Sequence, residues 1–173
     1  AEHGTVFLTG IQALARLPLD QLRADRRAGR RTAAFVSGYP GSPLAGYDGA
    51  VAAAARLAPE LGIVCRPALN EEYAATAVMG SQLASARPDA RWDGVVGIWY
   101  GKAPGVDRAS DALRHAVYAG TARFGGAVAL VGDDPVAKSS TLPSSSAATL
   151  ADLHMPLLYP GDPAEALELG LHA

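Results

Sequence analysis

Four short segments of this chain combine residue types that can bind or transform a small molecule. They contain two acidic pairs, both lysines of the chain and a stretch rich in glycine and proline. Carboxylates can transfer protons or hold a metal ion, ammonium groups attract anions, and glycine lets a ligand approach the backbone closely. The segments are residues 38–43, 67–72, 101–108 and 132–141.

Each segment follows a short apolar run that is typical of a β-strand. These runs are apolar throughout rather than at alternate positions, which indicates strands that are buried on both faces. Helical patterns lie between them, among them the predicted helices 71–86 and 107–119. We therefore predict an α/β fold, with a mostly parallel open sheet and helices on both faces. The predicted strands are 33–36, 62–65, 94–100, 127–131 and 156–159.

In a sheet of this kind, all strand-to-helix connections lie beyond the carboxyl ends of the strands. We call this side the carboxyl edge. Open α/β sheets bind their ligands there, so we expect the four segments to meet at a binding site.

Composition narrows the class of protein. A length of 173 residues suggests one domain, 1–173, and a net charge of −2 gives no electrostatic reason to expect nucleic acid.

No apolar run is long enough to span a membrane and no signal peptide is visible, which favours a cytoplasmic protein. A single cysteine, Cys65, excludes an iron–sulfur cluster held by this chain alone. The sequence stops inside the helical pattern at 162–173, with no C-terminal cap and no polar tail, which suggests a piece of a longer polypeptide.

Familiar motifs of nucleotide and metal sites are incomplete. Gly97 and Gly101 are separated by three residues where a phosphate loop has four, and Ala103 replaces its Ser or Thr. The four histidines are isolated, so we predict no metal site in this chain.

Several longer stretches resemble one known family. They are FLTGIQALARLPLDQ, AFVSGYPGSPLAGYD, NEEYAATAVMGSQ, GIWYGKAPGVDRASDALRHA, GDDPVAKSST and LLYPGDPAEALELGLHA. The chain is similar in these stretches, and in their order, to indolepyruvate ferredoxin oxidoreductase, within the 2-oxo acid:ferredoxin oxidoreductases. It most resembles the N-terminal part of the long fused bacterial enzymes. The resemblance implies a thiamine-diphosphate-binding fold, specifically the domain that binds the aminopyrimidine ring.

The resemblance also implies roles for individual residues. Glu71 matches the acid that contacts N1′ of the pyrimidine, and we predict it as the catalytic residue. Ser42 takes the position of a Thr whose hydroxyl is expected near substrate and cofactor. Lys102 and Gly105 match a Lys-x-x-Gly in the loop after the third strand, and Lys102 is expected to attract the substrate carboxylate. The predicted cofactor-binding residues are Gly38, Tyr39, Pro40, Gly41, Ser42 and Glu71.

The implied reaction is the oxidative decarboxylation of a 2-oxo acid, indolepyruvate or another arylpyruvate, with transfer of the acyl group to coenzyme A. Electrons pass to ferredoxin. The cofactor is thiamine diphosphate. This chain lacks the Gly-Asp-Gly motif that holds Mg²⁺ and diphosphate, and its only Asn is Asn70. We therefore expect Mg²⁺, the 4Fe-4S clusters and the diphosphate site in other domains or subunits, in a homodimer, with the isolated domain inactive.

Simpler structural roles remain open for each of these residues. Asn70 can cap a helix whose dipole Glu71 and Glu72 complement, and helical spacing does not decide which glutamate faces inward. Ser42 can bond its own turn, and Lys102 can lie in solvent. Gly38 and Gly41 can supply positive φ angles, and Asp133-Asp134 can cap a turn. For the whole chain, the alternative is a non-catalytic, flavodoxin-like binding or docking domain.

Overall fold

The computed structural model describes residues 4–41, 43–138 and 142–173. Within these ranges the chain alternates between helices and strands, as the sequence predicts. The elements are α1 (Gly10–Arg27), β1 (Thr32–Gly38), α2 (Tyr47–Leu57), β2 (Ile63–Cys65), α3 (Glu71–Gln82), β3 (Gly94–Gly101), α4 (Ala103–Ala119), β4 (Gly126–Val131), α5 (Ala147–Asp152) and α6 (Pro163–His172).

The four strands form one sheet in the order β2-β1-β3-β4, and every pair is parallel. The register pairs Val36 with Cys65 and Gly38 with Tyr100, so the carboxyl ends of three strands lie side by side. The predicted parallel α/β sheet is confirmed.

The predicted fifth strand at 156–159 is wrong. Residues 155–160 are irregular and pair with no strand that the structure describes. Pro156 and Pro160 bracket this short segment, and proline has no N–H to donate to a ladder. The segment instead connects α5 to α6.

Helices cover both faces of the sheet, as predicted, because successive strand residues point to opposite sides. Trp99 of β3 packs with α3, α4 and α5 on one face. Its neighbours Ile98 and Tyr100 pack with α1, α2 and α6 on the other. We call these the α3–α4 face and the α1–α2 face.

Local signals set several helix ends. Thr9 and Gln12 form a capping box at the start of α1, and Pro18 lies inside this helix without ending it. Helix α3 begins at Glu71 as predicted, but it ends at Gln82 and a 3-10 turn follows at Ala84–Ala86.

Helix α4 begins at Ala103, four residues before the predicted start at Asp107. Pro104 fits in its first turn, where no intrahelical N–H bond is required. The segment 101–108 is therefore mostly helix rather than loop, and this places Gly105 and Arg108 on a rigid element. Helix α5 was not predicted. In the described ranges, no helix is both long enough and apolar enough to cross a membrane.

Candidate site at the carboxyl edge

The four segments meet at the carboxyl edge, as the topology predicts. The Ala68 N–H donates to the Gly38 carbonyl at 2.9 Å and joins the connections that follow β1 and β2. The Gly132 N–H donates to the Gly101 carbonyl, also at 2.9 Å, and joins those that follow β3 and β4. A Cβ at Gly132 would lie 2.8 Å from Cγ of Pro43, so the first and last segments also touch.

Strands β1 and β3 are neighbours, but their following helices lie on opposite faces. Helix α2 follows β1 on the α1–α2 face, and α4 follows β3 on the α3–α4 face. This divergence opens a crevice between the two connections, which is where open α/β sheets bind ligands. Residues 38–41 and 101–108 flank that crevice.

Glu71 begins α3 at this edge. The Asn70 side chain accepts a hydrogen bond from the Tyr73 N–H at 2.9 Å, so Asn70 is the predicted N-cap. The Glu71 side chain is only 17 % exposed, whereas Glu72 lies in solvent. Both carboxylates complement the helix dipole, but only Glu71 lies against other elements. Glu71 therefore remains the predicted acid.

Three residues of the β3–α4 unit surround Glu71. The indole N–H of Trp99 donates to the Glu71 carbonyl at 3.0 Å. A Cβ at Gly105 would lie 2.8 Å from Cγ and 3.1 Å from Oε1 of Glu71, so the side chain lies directly along this glycine. The Arg108 Nε is 3.9 Å from Oε2. Among the described residues, Arg108 is the one ionic neighbour of this carboxylate.

Neither Gly38 nor Gly41 has a positive φ angle, so backbone conformation does not require glycine at these positions. Gly38 is buried, and a Cβ there would lie 2.2 Å from the Tyr100 carbonyl oxygen, so strand packing requires this glycine. If Gly41 carried a Cβ, no heavy atom of the described residues would lie within 4 Å of it. Tyr39, 48 % exposed, and Pro40 lie on the surface.

Ser42 lies outside the described residues, so its predicted role stays a prediction. Lys102 is the N-cap residue of α4, and its backbone carbonyl accepts from the N–H groups of Gly105 and Val106 at 2.8 and 2.9 Å. Its half-buried position places the residue beside the crevice. In the described contacts, Glu71 touches β3 and α4 and has no contact with residues 39–41.

Asp133 braces the start of α5. Its Oδ2 accepts from the Ser146 N–H at 2.8 Å and from the Ser146 hydroxyl at 2.9 Å. This geometry matches the structural role left open for the Asp pair. Its other oxygen, Oδ1, is buried without a hydrogen-bond partner among the described residues.

A second polar group lies at the same edge on the α1–α2 face, and the sequence did not indicate it. The rings of Tyr47 and Tyr100 meet edge-on with centroids 5.2 Å apart, and both hydroxyls are buried without a partner in the described parts of the chain. Burial, together with the nearby Cys65 and Tyr100, raises the pKa of Tyr47. Burial and the Asp48 carboxylate raise the pKa values of both Tyr100 and Cys65.

Two grooves on the surface lie away from Glu71. A groove of about 840 Å³ runs along the outer side of β4 and reaches the carboxyl edge only near Asp133 and Ser146. A smaller one of about 400 Å³ lies at the opposite edge, near Asp25 and Phe124. Neither groove is lined by Glu71, Lys102 or residues 38–41.

Trp99, Gly105 and Arg108 are neighbours of Glu71 that sequence reasoning did not single out for this role. Gly105 and Arg108 are three residues apart and so share a helix face, but the pattern becomes readable only once α4 is known to start at Ala103. Trp99 belongs to an apolar strand, where nothing in the sequence indicates which carbonyl its N–H will meet.

In comparisons with known proteins, no family model, no curated protein and no solved structure matches the chain significantly.

Proposed function

We propose that this chain is the pyrimidine-binding domain of a thiamine-diphosphate-dependent 2-oxo acid:ferredoxin oxidoreductase, similar to the indolepyruvate enzymes. The position of Glu71 supports the proposal best. A carboxylate that is only 17 % exposed begins a helix at the carboxyl edge of a parallel sheet, beside the crevice between β1 and β3. It occupies the place in the motif that matches the family's acid.

The Glu71 carboxylate suits the aminopyrimidine half of the cofactor as a hydrogen-bond acceptor. The Glu71 carboxylate makes no hydrogen bond within the described residues, since its distance to Arg108 is 3.9 Å, so its oxygens can take a ring N–H. The sequence offers no matching set for Mg²⁺ and diphosphate. The proposal accordingly assigns those groups to another domain or subunit.

When bound, thiamine diphosphate supplies a nucleophilic carbon that attacks the 2-oxo acid and takes up the negative charge left by loss of CO₂. Glu71 holds and shares the proton at the ring nitrogen N1′. Lys102 attracts the substrate carboxylate, and residues 38–41 contact the cofactor. The role of the Ser42 hydroxyl near cofactor and substrate is assigned from the resemblance alone. The surrounding residues limit water around Glu71, which strengthens its interaction with a ring N–H.

The proposed enzyme needs more than this chain. Glu71 lies outside both of the grooves described above, which suits a half-site that a second domain completes. The proposal includes iron–sulfur modules, ferredoxin as the electron acceptor, coenzyme A as the acyl acceptor, and a homodimer in the cytoplasm. We expect the isolated chain to be inactive.

A Glu71→Gln substitution in the complete enzyme tests the proposal. Glutamine keeps the shape of the side chain but cannot exchange the proton, so we expect the rate of 2-oxo acid decarboxylation to fall by about a hundredfold or more. Reduction of ferredoxin with indolepyruvate as substrate measures the rate. Glu72→Gln, one residue away and in solvent, is the control and should leave the rate unchanged. A Glu71→Gln rate within about twofold of wild type contradicts the assignment.

One observation favours the alternative, a non-catalytic docking domain. A groove of about 840 Å³ lies along β4 and not at Glu71. If the chain only docks, the complete protein will neither bind thiamine diphosphate nor decarboxylate 2-oxo acids. Calorimetric titration of the complete protein with thiamine diphosphate and Mg²⁺ separates the two functions.

A further inference from the structure

The position of the Glu71 carboxylate depends on a helix other than its own. The backbone of Glu71 belongs to α3, but its side chain lies against the first two turns of α4. Trp99 belongs to the strand that leads into α4, and its indole N–H donates a hydrogen bond to the Glu71 carbonyl at 3.0 Å. The β3–α4 unit therefore contacts Glu71 through backbone and side chain alike.

We propose that Gly105 and Arg108 are the positioning residues of the Glu71 carboxylate. Gly105 provides the space in which the side chain lies, and Arg108 attracts one carboxylate oxygen from the next turn of the same helix face. The inference rests on the proposed function, because it concerns how the acid of that site is oriented. It assigns the orientation to α4; the resemblance matches Gly105 to the family's Lys-x-x-Gly but gives this glycine no role toward Glu71.

Gly105 acts by having no side chain. A Cβ at this position would lie 2.8 Å from Cγ, 3.1 Å from Oε1 and 3.3 Å from Cδ of Glu71. These atoms belong to a flexible side chain rather than to backbone, so the glutamate would move and the helices would stay in place. An alanine at 105 therefore displaces the carboxylate while it leaves the fold intact.

Arg108 acts through its charge. Its side chain is 59 % exposed and its Nε is 3.9 Å from Oε2 of Glu71, so the pair is weak and makes no hydrogen bond. Such a contact favours one direction of the carboxylate without occupying its hydrogen-bonding capacity. The oxygen remains able to accept a bond from a bound ring.

The first test compares Gly105→Ala with Gly80→Ala in the complete enzyme. Gly80 lies in α3 with no atom within 4 Å of a built Cβ, so it reports the effect of a helical Gly→Ala change alone. We expect Gly105→Ala to lower kcat by about tenfold to a hundredfold, because displacements near 1 Å cost rates of this size. It should also weaken thiamine diphosphate binding, measured calorimetrically with Mg²⁺, at a Tm no lower than that of wild type. Gly80→Ala should match wild type in kcat and in binding, and its Tm should rise slightly because alanine favours the helix more than glycine does.

The second test uses the exposed Arg108, whose replacement does not endanger folding. We expect Arg108→Gln to weaken thiamine diphosphate binding by about twofold to fivefold, within the range of exposed ion pairs, and Arg108→Lys to restore most of the affinity. Arg114→Gln is the matched control, since Arg114 lies on the same helix and pairs with Asp152 instead. It should leave the affinity unchanged.

The outcomes separate this inference from the proposed function. If Glu71→Gln abolishes activity while Gly105→Ala and Arg108→Gln both behave as wild type, the positioning role is wrong and the function stands. If Glu71→Gln is fully active, the function itself fails. Should Gly105→Ala unfold the protein, the rigid-fold premise is contradicted, and the Arg108 comparison then decides the electrostatic half alone.

Discussion

Trp99 and Tyr100 are adjacent on β3 and point to opposite faces. They differ in whether their side-chain polar atoms have hydrogen-bond partners. The Trp99 N–H donates to the Glu71 carbonyl at 3.0 Å on the α3–α4 face. The Tyr100 hydroxyl is buried on the α1–α2 face without a partner in the described residues, beside the equally unpartnered hydroxyl of Tyr47. One face thus uses its aromatic residue to fix the candidate acid, and the other carries buried hydroxyls that cost stability.

The contrast shows where the constraints of the site lie. On the α3–α4 face, Glu71 has three kinds of contact: a hydrogen bond from Trp99, close packing against Gly105, and a weak ion pair with Arg108. On the α1–α2 face, Tyr100 lies so close to Gly38 that backbone meets backbone. Substitutions at Gly105 and Arg108 on the first face should alter chemistry, whereas a substitution at Gly38 on the second should alter folding.

The largest effect is expected for Gly38→Ala. The added Cβ would lie 2.2 Å from the Tyr100 carbonyl oxygen and 2.5 Å from the ring, and neither can move without breaking the β1–β3 pairing. We expect a loss of about 3 kcal/mol or more in the free energy of unfolding, measured by urea denaturation. Gly41→Ala, where nothing lies within 4 Å, is the control and should change little. A Gly38→Ala protein as stable as wild type would refute the close packing.

A smaller effect is expected for Trp99→Phe on the opposite face. The change leaves the Glu71 carbonyl without its donor and opens a cavity between α3 and α4, so we expect a loss of about 2 kcal/mol. Thermal unfolding measures it. Trp92→Phe, at a half-exposed position among arginines, should cost less. Equal losses in the two variants would show that the Trp99 contact contributes nothing of its own.

The smallest effect concerns alkaline pH and returns to the α1–α2 face. Burial and Asp48 raise the pKa of Cys65, so above about pH 8.5 the unfolded chain loses this proton more readily than the folded chain. Stability should therefore be highest below that pH and fall as pH rises, by up to about 1.4 kcal/mol per unit for this group. The raised pKa values of Tyr47 and Tyr100 add to the loss above about pH 10.

Urea unfolding at pH 7.5 and 9.5 measures this loss. Cys65→Ala removes the titrating thiol, so its stability should fall less between the two pH values than that of the wild type. If both proteins lose the same amount, Cys65 is not the responsible group.

Local signals carried much of the prediction from sequence. Asn70 followed by two glutamates marked the start of α3, and uninterrupted apolar runs indicated parallel strands. Topology alone then placed four separate segments at one edge. What failed depended on neighbours distant in sequence. The apolar run at 156–159 looked like a strand but found no pairing partner between two prolines.

The contacts of the candidate site could not be predicted for the same reason. Glu71 and Glu72 are equivalent in sequence terms, and packing against α4 determines that only Glu71 is covered. Gly38 looked like a ligand-binding glycine, yet its requirement comes from Tyr100, more than sixty positions away in the numbering. Contacts of this kind become visible only when the elements are assembled.

The outer side of β4 has a consequence for handling the protein. The strand Gly126–Val131 is uncharged, has one partner among the described strands, and lies near the exposed Leu158 and Tyr159. Open apolar edges of this type pair with one another, so concentrated solutions of the isolated chain should form aggregates through it. A lysine introduced at the exposed Ala127 would act as a gatekeeper and improve solubility.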